Sequence, residues 1–202
     1  MGGQETNEHS PVVLFFLFIV AIALLFRTVS ESWKSFEGAL QEEITNYPDG
    51  VDIFIAGGDR GDGVGYAGAL NLLSQSQVPY TSFRNASNPS HIHKTLVFTG
   101  GGGFSSHDSR KINDFTTLFQ DPFYEHFIVL PTTFDTRQTH VKSFLKSLPI
   151  NTTIFCREQK SFDNIQHFVN CKVLLDHDTT TSLDTTRFKK KGRGRIAAFR
   201  GP

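Results

Sequence analysis

The chain has 202 residues, with 20 Lys+Arg balanced by 20 Asp+Glu, 38% hydrophobic residues and 20% charged ones. Zero formal charge excludes a globally basic nucleic-acid binder, and this apolar content excludes an acidic disordered chain. Two cysteines, Cys156 and Cys171, are too few for a disulfide framework or a thiolate zinc cluster.

Residues 1–11 form a polar tail, and residues 12–26 an unbroken apolar run of 15 between Pro11 and Arg27. A bilayer core takes about 20 apolar residues, fewer when the flanks snorkel. A transmembrane or signal-anchor helix is therefore expected over residues 12–29. A cleaved signal ending near Ser30-Glu31-Ser32 and a buried core helix are the alternatives. Arg27 and Lys34 follow the run, which favours a cytoplasmic main domain. The sequons at Asn85 and Asn151 favour an ER or Golgi lumen and a glycoprotein, and Gly2 fits a loose myristoylation pattern. These signals conflict, and both orientations stay open.

Residues 30–50 read as a stem and a short amphipathic helix, with Trp33, Phe36, Leu40 and Ile44 on one stripe. From there short β-branched or aromatic runs recur at 51–56, 80–83, 95–98, 127–130, 153–156, 173–175 and 196–199. Helix-like stretches separate them at 62–76, 110–119, 137–147 and 158–168. That alternation predicts an α/β, Rossmann-like domain over 51–186, with a parallel sheet covered by helices on both faces. Residues 187–202 hold seven basic residues and no acid, and read as a basic linker.

In such a sheet, ligands bind beyond the carboxyl ends of the strands. The first strand runs into Gly57-Gly58-Asp59-Arg60-Gly61-Asp62-Gly63, where backbone and a helix amino terminus can meet an anion. The Gly63-x-Gly65-x-x-Gly68 pattern begins about six residues too late for a dinucleotide turn, which argues against a nicotinamide cofactor. The third strand ends in Gly100-Gly101-Gly102-Gly103-Phe104, a run too costly in entropy for a mere turn, followed by His107-Asp108, an acid/base pair or simply a surface histidine. Further strand ends offer Pro131-Thr132-Thr133, Arg157-Glu158 and Asp176-His177-Asp178. Arg157 suits a carboxylate or phosphate, or else closes the sheet edge with Glu158. The Asp176/Asp178 pair is of the type that holds a divalent metal and a sugar nucleotide.

Taken in order, these strand ends resemble the polysaccharide pyruvyl transferase family over residues of about 50 to 200. Asp59-Arg60-Gly61-Asp62 falls on its Asn-x-Gly-Asp loop, and Gly100 to Gly103 on its triple-glycine loop. Leu130-Pro131-Thr132-Thr133 resembles its Leu-Pro-Gln-Ser/Thr stretch, Arg157-Glu158-Gln159-Lys160-Ser161 its Arg-Glu-x-x-Ser segment, and Asp176 its post-strand Asp. The resemblance implies the first lobe of a GT-B-like fold and transfer of a pyruvyl group from phosphoenolpyruvate to a sugar hydroxyl pair. It needs no further cofactor, no metal and no nucleic acid; the partners are phosphoenolpyruvate, a glycan acceptor and, through residues 12–29, a membrane.

By that resemblance Asp62 and His107 are the catalytic candidates. Gly58, Asp59, Gly61, Gly101, Gly102, Gly103, Thr132 and Arg157 are the substrate-binding ones. Arg157 serves as the anion clamp. Asp59 departs from the family's Asn, and a Ser-x-Arg-x-His segment of its second half does not occur in these 202 residues. Residues 187–202 are accordingly expected to lead into a second domain outside this chain. The alternatives are a sugar-nucleotide glycosyltransferase using Asp176 and Asp178, and a non-catalytic, membrane-tethered module that binds a glycan or a partner.

Overall fold

The computed structural model describes residues 38–58, 60–104 and 110–186. The expected membrane segment, most of the stem, the strand at 196–199 and the basic linker lie outside these residues, as do Asp59 and His107. Among the described residues no helix is long and apolar enough to cross a membrane.

The alternation read from sequence becomes a seven-stranded sheet with helices on both faces. In chain order the elements are α1 (Ala39–Thr45), β1 (Val51–Phe54), α2 (Arg60–Gln75), β2 (Tyr80–Phe83), β3 (Thr95–Phe98) and β4 (Gly101–Phe104). They continue with α3 (Arg110–Phe119), β5 (His126–Phe134), α4 (Thr139–Lys146), β6 (Thr152–Cys156), α5 (Gln159–Ile165) and β7 (Lys172–Leu175). A 3-10 turn, Thr179–Ser182, follows. The strands run in the order β2-β1-β3-β5-β6-β7, and their pairings are parallel.

Burial on both faces explains the near-continuous apolar strands, since parallel sheets sit between helical layers. Successive strand residues feed opposite cores. Phe54, Phe98, Val129 and Ile154 pack with Phe115 of α3 and Phe144 of α4. Ile53, Val97, Ile128 and Phe155 pack with Ile44 of α1 and Leu73 of α2. Much of the phenylalanine content is spent on the first core, where the Phe98 and Phe115 rings lie 4.4 Å apart and the Phe104 and Phe144 rings 5.0 Å apart. Such ring pairs add about 0.5–1.5 kcal/mol beyond their buried area.

The glycine run, expected as a loop, is in part a strand. β4 continues the line of β3 along the far half of β5, pairing Gly101 with Thr132 and Phe104 with Phe134. The break between β3 and β4 lies beside Pro131, where the β5–β6 register also shifts. Proline lacks the N–H that an uninterrupted ladder needs, so the irregularity falls there. A Cβ on Gly100 would stand 2.2 Å from the Pro131 carbonyl oxygen, which bars any other residue.

Helix α1 is fastened to the sheet by polar contacts as well as by Leu40 and Ile44. Buried Glu43 accepts from Thr153 Oγ1 at 2.9 Å and Lys172 Nζ at 2.7 Å. At the opposite end of the strands from the glycine loops, buried Asp52 accepts from the Ile92 and His93 amides and from the Tyr124 hydroxyl. Asp52 therefore ties down the connection into β3.

Candidate functional site

The chain leaves β1 toward β2 on one side and then returns to place β3 on the other. At such a reversal the connections diverge and open a crevice at the carboxyl ends of the strands. A cavity of about 250 Å³ occupies this position, lined by Gly61, Asp62, Tyr66, Gly101, Arg157 and Asp178 among others. The loops after β1, β3, β6 and β7 all reach it, so residues more than a hundred positions apart share one hollow.

Asp62 enters the cavity from the first turn of α2, where a carboxylate is favoured by the helix dipole. Its Oδ2 lies 2.9 Å from Lys111 Nζ, and the two side chains are only 17% and 11% accessible. Glycines close on the carboxylate from two sides. A Cβ at Gly58 would come within 2.0 Å of Asp62 Oδ2, and one at Gly101 within 2.5 Å of Oδ1. Gly101 also holds φ at +115°, a backbone state costly for any residue with a side chain. The glycines thus admit the Asp62 carboxylate between two backbone segments.

One turn along α2, the Tyr66 hydroxyl is buried and makes no well-formed hydrogen bond, although Thr99 and Lys111 face it. Burial raises the Tyr66 pKa above its ordinary value; the Lys111 charge opposes that rise and the Asp62 carboxylate adds to it. Asp62, Lys111 and Tyr66 therefore form one polar group on the α2 side of the cavity.

Arg157 stands at the end of β6 on the far side of the cavity. Its Nη1 donates to Asp178 Oδ2 at 2.8 Å, and its Nε donates to Thr133 Oγ1 at 2.6 Å. The Thr133 hydroxyl in turn donates to Glu158 Oε2 at 3.0 Å. Arg157 Nε is also 3.5 Å from Glu158 Oε2, so the edge network and the cleft-facing position occur together. The Arg157 and Asp178 side chains are 34% and 27% accessible, more open than the Asp62–Lys111 pair.

The structure brings Gly61, Asp62, Gly101 and Arg157 to the cavity wall, with Gly58 against Asp62 and Gly102 and Gly103 within β4. Thr132 is placed differently. It is buried, and its hydroxyl donates to the Gly101 carbonyl, so it braces the glycine strand while its neighbour Thr133 meets Arg157. Asp59 and His107 fall outside the described residues.

The two aspartates after β7 diverge. Buried Asp176 accepts from the Leu40 amide at 2.7 Å, capping α1 from a distance, while Asp178 turns to Arg157 and caps the 3-10 turn through the Thr180 amide. Among the described residues, no three His, Cys, Asp or Glu side chains gather as a metal centre.

Lys111 and Tyr66 escaped the sequence reading. Both carried a signal: Lys111, Phe115 and Leu118 are spaced as one helical stripe, and Tyr66 falls one turn after Asp62. A lysine on a core-facing stripe needs a partner. The late glycine pattern also finds a reason, because a Cβ on Gly68 would strike the Thr179 carbonyl oxygen at 1.9 Å. Thr179 Oγ1 donates to the Gly65 carbonyl at 2.9 Å. These glycines seat the 3-10 turn on α2.

No protein-family model matches the chain, and no curated protein matches it. Among solved structures it is similar to the crystal structure of a functionally uncharacterized protein from Klebsiella pneumoniae subsp. pneumoniae NTUH-K2044, with a TM-score of 0.65 and 19% identity. The likeness is one of fold. It covers 78% of this chain and 60% of that one, so the chain spans less than two thirds of that neighbour's length.

Proposed function

We propose that the chain carries one wall of a pyruvyl-transfer site, the first lobe of a GT-B-like enzyme tethered through residues 12–29 and acting on glycans. The observation that carries this reading is the convergence of Asp62, Gly101 and Arg157 on one cavity at the β1/β3 reversal. Phosphoenolpyruvate bears a carboxylate and a phosphate, and the Arg157 fork suits either group. The amino terminus of α2 adds N–H groups on the same side.

In the reaction, the two sugar oxygens form bonds to C2 of the enol while its bond to the phosphate oxygen breaks. One hydroxyl proton ends on C3, making a methyl group, and the other on the released phosphate. Asp62 is the acceptor that orients a sugar hydroxyl and takes its proton, with Lys111 fixing the carboxylate. His107 and Asp59 belong to the same reading, as acceptor and donor contacts. Exposed Asn85 and Asn151 are compatible with a lumenal orientation.

The charge of the cavity favours a second reading, a non-catalytic glycan- or partner-binding module, because Lys111 and Arg157 already have carboxylate partners. One experiment separates the two. The full-length protein, with both lobes of the proposed enzyme, given phosphoenolpyruvate and a glycan acceptor, is expected to release phosphate only when both are present. Arg157→Ala and Asp62→Asn are each expected to lower that release by about a hundredfold. Absence of acceptor-dependent release overturns the transferase reading.

A further inference from the structure

Of the two ion pairs at the cavity, one is built to stay and the other to exchange. Asp62 is enclosed by Gly58 and Gly101 and held by a nearly buried lysine. Arg157 and Asp178 meet near the cavity mouth, both partly accessible, and an exposed pair of this kind contributes little net stability. Arg157 keeps its Thr133 contact through Nε, so its orientation does not depend on Asp178. The Asp178 carboxylate therefore occupies the place on the guanidinium that an incoming anion would take.

We propose that Asp178 is an internal counterion that competes with the ligand's anionic group for Arg157, and so sets the affinity and selectivity of the cavity for anions. This rests on the anion-binding part of the proposed function, and not on turnover. A carboxylate or phosphate entering the cavity takes the guanidinium Nη1, and Asp178 retains the Thr180 amide on its other oxygen. Asp178 is carried by the segment that follows β7 and leads into the 3-10 turn. Thr179 anchors that turn to α2 through the Gly65 carbonyl. Exchange at Arg157 thereby loosens one contact of a segment packed on the helix that presents Asp62. Weakly anionic ligands fail to displace the carboxylate, whereas a ligand with two anionic groups succeeds.

The test is calorimetric titration of the full-length chain with phosphoenolpyruvate and, separately, with inorganic phosphate. Asp178→Asn and Asp178→Ser both keep a side-chain cap for the 3-10 turn while removing the charge. Each is expected to bind both probes about three- to fivefold more tightly than the parent, the range that release of an exposed pair allows. In the Arg157→Gln/Asp178→Asn double variant the gain is expected to vanish. Unchanged or weaker binding in both single variants, or a gain that persists without Arg157, overturns the proposal. Tighter phosphate binding without any acceptor-dependent release leaves this inference standing and removes the transferase. Acceptor-dependent release with no tightening does the reverse.

Discussion

Lys111 shows how a single side chain can decide whether a site holds its shape. It sits on the core-facing stripe of α3, yet its ammonium reaches Asp62 at 2.9 Å instead of apolar neighbours. Removing one member of a nearly buried pair leaves the other desolvated and uncompensated, while removing both charges together costs far less. Lys111→Met is therefore expected to lower unfolding stability by about 2–3 kcal/mol, below the full cost of a deeply buried pair because some solvent reaches both groups. Adding Asp62→Asn, which keeps the shape that fits between Gly58 and Gly101, is expected to restore most of that loss. Urea denaturation of the two single variants and the double variant gives the coupling directly. Additive losses would mean that the two side chains stand side by side without interacting. Thr132 and Thr133 carry a related lesson: side chains alternate along a strand, so one turns to the Gly101 carbonyl and the other to Arg157 and Glu158.

At the scale of elements, the segment after β7 joins two parts of the fold that sequence order keeps apart. Asp176 reaches back to the first turn of α1, where the Leu40 amide lacks an intrahelical partner, and Asp178 reaches across to Arg157. Asp176→Ala is expected to cost about 1–2 kcal/mol, the usual loss on deleting a helix cap, whereas Asp176→Asn is expected to stay within a few tenths. Thermal unfolding of both variants checks this. A large loss in the Asn variant would show that the carboxylate charge matters beyond the cap.

The strands β2 and β3 were legible to the residue because β-branched and aromatic side chains mark them. β4 was not legible as a strand, because glycine has no side chain through which alternation can show. That the cluster after β1 and the guanidinium at Arg157 lie together at the strand ends was legible, since glycine and arginine at strand ends have few structural reasons to be there. The parity of Thr132 and Thr133 was hidden by the break at Pro131, where the ladder changes register. For Asp178 the sequence offers a metal pair with Asp176 only as the alternative, and no ion pair. Its partner Arg157 lies 21 residues away, and only the β6–β7 pairing brings them together.

Across the whole molecule, the same burial that builds the two cores governs how stability responds to alkali. Burial pushes the Cys156 thiol up to about 12, with the Glu158 carboxylate adding to the effect, and burial pushes Cys171 up to about 11. Both thiols are free. A thiol whose folded-state pKa exceeds its unfolded value holds its proton only in the folded chain at intermediate pH. The unfolded chain then gains the free energy of ionisation, so this contribution to folding is complete below the ordinary thiol pKa of 9.0 and is lost as pH rises toward 11 and 12. Each thiol contributes a slope of up to about 1.4 kcal/mol per pH unit in that window. Urea midpoints measured at pH 7.5, 9 and 10.5 are expected to fall slightly over the first interval and steeply over the second. The Cys156→Ala/Cys171→Ala variant starts lower, because Cys156 fills space in the core, yet its second interval is expected to be markedly flatter. An equal slope in that variant would assign the alkaline loss to the phenols of Tyr47, Tyr66 and Tyr124, whose pKa values burial also raises. Iodoacetamide at pH 8 provides the kinetic counterpart: a thiol kept protonated and enclosed is expected to react only as fast as the chain opens.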